Sequence, residues 1–138
     1  MVTLVAGAAT VQTAAPAPAV ASGVTQKILN RADGPGGQLV SIQALAEVAA
    51  GVVGARHTHP GVGIGSILSG GGTAILAGAP ARELKAGKCY LVAADTPHEF
   101  KTRPQATQIL VTYVVDKNKP LASPRTGIMS GKGSPLCS

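Results

Sequence analysis

Three histidines are the whole imidazole complement of this 138-residue chain, and they fall in two short stretches. His57 and His59 lie in Ala55-Arg56-His57-Thr58-His59-Pro60-Gly61, and His98 lies in Thr96-Pro97-His98-Glu99-Phe100. Residues at i and i+2 of a strand share a face, so an extended segment sets His57 and His59 side by side. A third imidazole arriving from a distant strand completes a three-nitrogen site for a divalent metal, with coordination positions left open. Imidazole is a borderline donor that suits Fe, Mn, Ni, Co, Cu or Zn.

Positioning three such side chains requires strands, and the composition favours them. Eighteen glycines and ten prolines imply many turns and little helix. The chain is 45% hydrophobic but only 2% aromatic, so a core must be built from Ala, Val, Ile and Leu, with Phe100, Tyr90 and Tyr113 as its only rings. Leu39 to Val48 alternates, with Val40, Ile42, Ala44, Ala46 and Val48 on one face and Ser41, Gln43 and Glu47 on the other; Leu45 is the exception. That period of 2 predicts a half-buried strand. Further strands are predicted at Val24–Leu29, Ala55–His59, Ile64–Leu68, Thr73–Leu76, Ala81–Leu84, Cys89–Val92, His98–Thr102 and Gln108–Val115. Turns are predicted between them, among them Asp33–Gly37, Ser69–Gly72 and Ala77–Pro80. Short strands at this spacing point to a single all-β domain, a sandwich or barrel.

The domain is expected over residues 24–119. Residues 1–23 carry no charge. They read as a disordered leader or the remnant of a signal peptide, with small residues around Ala17–Ser22 but no basic start. Residues 120–138 read as an irregular tail whose first apolar residues could cover a barrel edge. A cleaved leader implies a periplasmic or secreted protein, and otherwise a cytoplasmic one is expected. No run reaches the roughly 18–20 apolar residues that span a bilayer. The net charge is +6. The basic residues after Lys101 are spaced out, without interleaved aromatics to stack on bases, so nucleic acid is not an expected partner and an anionic small molecule is. The two cysteines, Cys89 and Cys137, are expected as unpaired thiols.

The spacing of these residues resembles the cupin superfamily, in its small single-domain cupin-2 (conserved barrel) form. The first cupin motif is Gly, five residues, His-x-His, three or four residues, Glu, six residues, Gly. Gly51, His57, His59 and Gly70 stand at its places. The second is Gly, five residues, Pro-x-Gly, two residues, His, and Gly87 and His98 match it. The motif glutamate falls on Gly63 or Ile64, the Pro-x-Gly turn is Ala93-Ala94-Asp95, and Thr102 and Arg103 stand where a closing Asn belongs.

The resemblance implies a double-stranded β-helix (jelly-roll barrel) with His57, His59 and His98 as metal ligands inside it. It also implies a homodimer paired through edge strands. Without the glutamate the site resembles the three-histidine centres of thiol dioxygenases and diketone-cleaving cupins. The implied activity is that of a metal-dependent dioxygenase on a small molecule, with isomerase or lyase chemistry behind it. The alternative is a non-catalytic module that binds a metal or a small ligand. No catalytic base can be named from the residues, and no other acid is expected to replace the glutamate as a metal ligand: Glu99 alternates away from His98, Asp95 lies in the turn, and Glu47 shares a face with Ser41 and Gln43 on a neighbouring strand.

Overall fold

The computed structural model describes residues 23–126. Expectations for residues 1–22 and 127–138, including the leader, most of the tail and Cys137, lie outside the described residues. Within them the chain is almost all strand, with one 3-10 turn at Pro35–Gly37. The strands are β1 (Val24–Asp33), β2 (Leu39–Val48), β3 (His57–Thr58), β4 (Gly61–Ser69), β5 (Gly71–Leu76), β6 (Arg82–Lys85), β7 (Cys89–Val92), β8 (His98–Thr102), β9 (Thr107–Asp116) and β10 (Ser123–Pro124). They form two five-stranded antiparallel sheets, ordered β1-β2-β9-β4-β7 and β10-β3-β8-β5-β6. This is the double-stranded β-helix that the motif spacing implies.

The apolar alternation of β2 sets the register of the first sheet. Val40, Ile42, Ala44, Ala46 and Val48 are all buried. Each faces a residue of β9, with Ile42 opposite Tyr113 and Ala44 opposite Val111. Ile67 and Val92 continue this inner face through β4 and β7. The second sheet supplies Ala74, Leu76 and Leu84 from the other side. Burying a large aliphatic side chain contributes about 1.5–3 kcal/mol, so a core with few rings is still sufficient for a domain of this size.

Several segments differ from the sequence reading. Gly71 and Gly72 belong to β5, so the turn after β4 closes at Gly70. The reason is steric: a Cβ on Gly72 would collide with the Lys101 carbonyl oxygen of β8, and one on Gly71 with the Leu84 carbonyl oxygen of β6, so these glycines let β5 pack tightly between the two strands. Ser123–Pro124 adds a short tenth strand, paired with β3. Leu121 packs against the core, as its apolar character suggests. Cys89 is disulfide-bonded, which corrects the expectation of a free thiol. It lies on β7, the edge strand of its sheet, in register with Ser66.

Candidate metal centre

Strand β3 is short because Pro60 lacks an amide hydrogen for a ladder, yet it suffices to set the site. His57 pairs directly with His98 across β3 and β8. His59 follows immediately, and its main-chain carbonyl accepts the amide of Asp95 at 2.9 Å. Asp95 has φ 56, so it adopts the left-handed conformation that the motif glycine would supply. Aspartate tolerates that region better than most residues. The turn that delivers His98 is thereby kept without the expected glycine.

The three imidazoles converge. Their ring centroids lie 4.3 Å apart for His57 and His98, 4.8 Å for His57 and His59, and 5.0 Å for His59 and His98. One nitrogen from each lies within 4.8 Å of the others, so the three could hold a metal ion. No other such group of His, Cys, Asp or Glu occurs among the described residues. His59 and His98 are buried, and His57 is half-buried.

The hydrogen bonds fix which nitrogen faces inward. Nδ1 of His57 bonds the Ala55 carbonyl at 2.7 Å, Nδ1 of His59 bonds the Leu121 carbonyl at 2.6 Å, and Nδ1 of His98 bonds the Thr96 carbonyl at 2.9 Å. A carbonyl only accepts, so each Nδ1 carries the proton and each Nε2 keeps its lone pair. Such an outer bond orients a ligating imidazole and raises its basicity. Burial holds His59 down at about 4, against a weaker upward pull from the Leu121 carbonyl. Burial likewise holds His98 at about 3, helped by the neighbouring His57. Both are therefore neutral near pH 7, the form a metal requires. The donor set and its tautomers fit a divalent transition metal.

Glu99 does not join them. It pairs with Arg56 at 3.2 Å and with Lys101 at 3.8 Å, on the opposite face from His98. Gly63 leaves the motif carboxylate's place to another group. A Cβ there would meet the Tyr113 ring at 3.5 Å and His59 Cδ2 at 3.9 Å. Tyr113 lies with its ring centroid 4.7 Å from that of His59. Its hydroxyl accepts a hydrogen bond from Gln26 Nε2 at 2.9 Å, which leaves the phenolic proton free to donate. Burial pushes the phenol above its usual range, so it stays protonated. Sequence reasoning placed Tyr113 only among the rings of the core; its register opposite Gly63 is what brings it to the histidines. Gln26 gave no sequence signal at all.

A cupin domain profile matches residues 44–114, more than half of the chain. The chain belongs to the cupin family. Solved structures agree on the fold. An uncharacterized conserved protein with a double-stranded β-helix domain from Klebsiella pneumoniae is similar over 80% of this chain and 91% of its own, with 16% identity and a TM-score of 0.61. The DMSP lyase DddQ from Ruegeria pomeroyi is similar over 79% of this chain and 54% of its own, with 24% identity and a TM-score of 0.60. A salicylate 1,2-dioxygenase from Pseudoaminobacter salicylatoxidans is similar over 71% of this chain and 26% of its own, with 16% identity and a TM-score of 0.56. No curated protein sequence matches the chain.

Proposed function

We propose that His57, His59 and His98 bind a divalent transition metal and that the protein is a metal-dependent enzyme acting on a small molecule, with dioxygenase chemistry foremost. The observation that carries this reading is the convergence of three Nε2 atoms whose outer nitrogens are each held by a main-chain carbonyl. Bound there, the metal would supply Lewis acidity and open coordination positions for a chelating oxygen- or sulfur-bearing substrate. The chain's own residues do the rest. Three neutral imidazoles leave the ion's double positive charge uncompensated, which favours an anionic ligand. The Tyr113 phenol offers a proton beside His59, and the apolar inner faces of both sheets exclude water. The dioxygenase and the lyase among the similar folds support a small-molecule reaction in this kind of barrel, though fold alone does not select one.

A second reading is favoured by Gly63: with no carboxylate at that place, the chain is a binding module that holds metal or ligand without turnover. Elemental analysis of the purified protein beside a His57→Ala/His59→Ala variant tests the shared part. Equal metal in both proteins would sink the site. Oxygen uptake by Fe(II)-loaded protein, followed across thiols, diketones and flavonols, separates the two readings. Uptake with one of them supports the enzyme, and none with any of them favours the module.

A further inference from the structure

The outer face of the first sheet presents apolar side chains to solvent. Ile64 of β4 is 41% exposed and Val114 of β9 is 38% exposed. Val62 stands opposite Val114, and Leu91 of β7 stands opposite Ile64. All four alternate along their strands with buried inner-face residues, among them Gly63, Val92 and Tyr113. A contiguous apolar patch of this kind marks a surface that something covers.

The covalent chemistry at the border of the patch points to its occupant. Tyr90 packs against the core and Val92 is buried, so Cys89 turns the other way, to the outer face it shares with Leu91. Cys89 is disulfide-bonded, and it is the only cysteine among the described residues. The sequence holds one other, Cys137, and none in residues 1–22. Within one chain the bond therefore runs to the C-terminal segment. The described residues end at Thr126, two positions past β10, which is an edge strand of the second sheet. Cys137 is eleven residues further on. A chain of that length reaches at most about 40 Å. A path over the first sheet crosses its five strands, spaced about 4.8 Å apart, and one sheet separation of about 10 Å, about 30 Å in all. The segment is thus long enough to span the whole outer face, and it brings Ile128, Met129 and Leu136 as apolar partners.

We propose that a Cys89–Cys137 disulfide latches residues 127–138 across the outer face of the first sheet, as a strap over Ile64 and Val114. The occupant is the chain's own C-terminus, and the proposal is independent of the metal-site reading. The sulfur–sulfur bond forms as the two thiols give up two protons and two electrons to a disulfide-bearing oxidant, which leaves as a dithiol. The test uses the full chain purified without reductant, beside Cys137→Ser and beside wild type treated with dithiothreitol, which closes to its cyclic disulfide as the protein bond is reduced. The oxidised wild type is expected to run as a single chain on non-reducing electrophoresis, with no titratable thiol when unfolded. Peptide mapping is expected to join the fragments that hold Cys89 and Cys137. Fluorescence of an anilinonaphthalene dye is expected to rise severalfold in C137S and in the reduced wild type. Adding Ile64→Ser and Val114→Ser to C137S returns it to the oxidised level. Free thiols in the wild type overturn the proposal. Two chains linked through Cys89 also overturn it, and make a second copy the occupant. Dye binding that does not change when the bond is broken overturns the strap even where the bond is found. A rise that the two serines leave intact belongs to other surface or to unfolding and overturns it too. If C137S does not fold, the same comparison is made between oxidised and reduced wild type, with I64S/V114S carried in both.

Discussion

Gly63 and Tyr113 face each other across the β4–β9 ladder, and the tyrosine ring borders the volume that a side chain at position 63 would enter. The place of a carboxylate has become the place of a phenol. A methyl group at position 63 would meet the ring in ordinary van der Waals range, without collision. Two residues along β4 the situation is reversed, since a Cβ at Gly65 would collide with the Tyr90 ring. Gly63→Ala is therefore expected to leave stability unchanged or raise it by up to about 1 kcal/mol, by restricting the unfolded chain. Gly65→Ala is expected to cost about 1–3 kcal/mol through overpacking. Urea unfolding of the two variants checks the contrast, and similar midpoints would mean that the rings are not packed as described.

The carbonyl of Leu121 holds His59 from a segment 62 residues away in sequence. A chain ending at Lys119 loses that acceptor together with β10, while one ending at Thr126 keeps both. The shorter chain is expected to bind Zn(II) about 10–100-fold more weakly, the usual effect of removing the partner that orients a ligating imidazole. Competition with a chromophoric chelator measures it. Equal affinity in the two truncations would show that His59 needs no outer partner.

Acid should destabilise the metal-free protein. His59 and His98 are held neutral in the fold, at about 4 and about 3, below the ordinary 6.5. Between those values the unfolded chain takes up protons that the folded chain refuses, so stability falls as the pH drops below 6.5. With both groups titrating, the slope is on the order of 2–3 kcal/mol per pH unit near pH 5. Above 6.5 these two groups add no pH dependence. Denaturant midpoints of chelator-treated protein at pH 7.5 and 5.0 give the comparison, and a His59→Asn/His98→Asn variant should show a flatter profile. An equally steep profile in that variant would assign the acid sensitivity to other groups.

Thr107 is fully buried, and its hydroxyl bridges β5 by accepting from the Gly71 amide at 3.0 Å and donating to the Gly71 carbonyl at 2.9 Å. Thr107→Val keeps the shape but strands the Gly71 amide and leaves its carbonyl only the long bond from the Arg103 amide at 3.4 Å. The expected cost is about 1–3 kcal/mol, read as a lower melting temperature. Thr107→Ser retains the hydroxyl and should lose clearly less. A valine variant as stable as the wild type would remove the bridge from the account.

Much of this architecture was legible in the residues. The bounds of β2, β7 and β8 follow directly from alternation and flanking turn residues, and the i, i+2 histidines with a motif-spaced third point to one cluster. Other features gave no local signal. Gly71 and Gly72 read as a turn because glycine is a turn former, but here it is the missing Cβ that matters, letting β5 approach β6 at Gly71 and β8 at Gly72. Ser123–Pro124 reads as tail because two residues are too short to show a period, and the pairing exists only because β3 offers an edge.

Periodicity and spacing are properties of the chain, so the all-β class and the grouping of His57, His59 and His98 could be read from the residues alone. Which nitrogen of each histidine faces inward depends on the fold, because the acceptors are main-chain carbonyls that look alike in any sequence. The fold also sets Tyr113, not a carboxylate, beside His59. These depend on register across strands far apart in the chain, and register is set by the packing of the whole barrel.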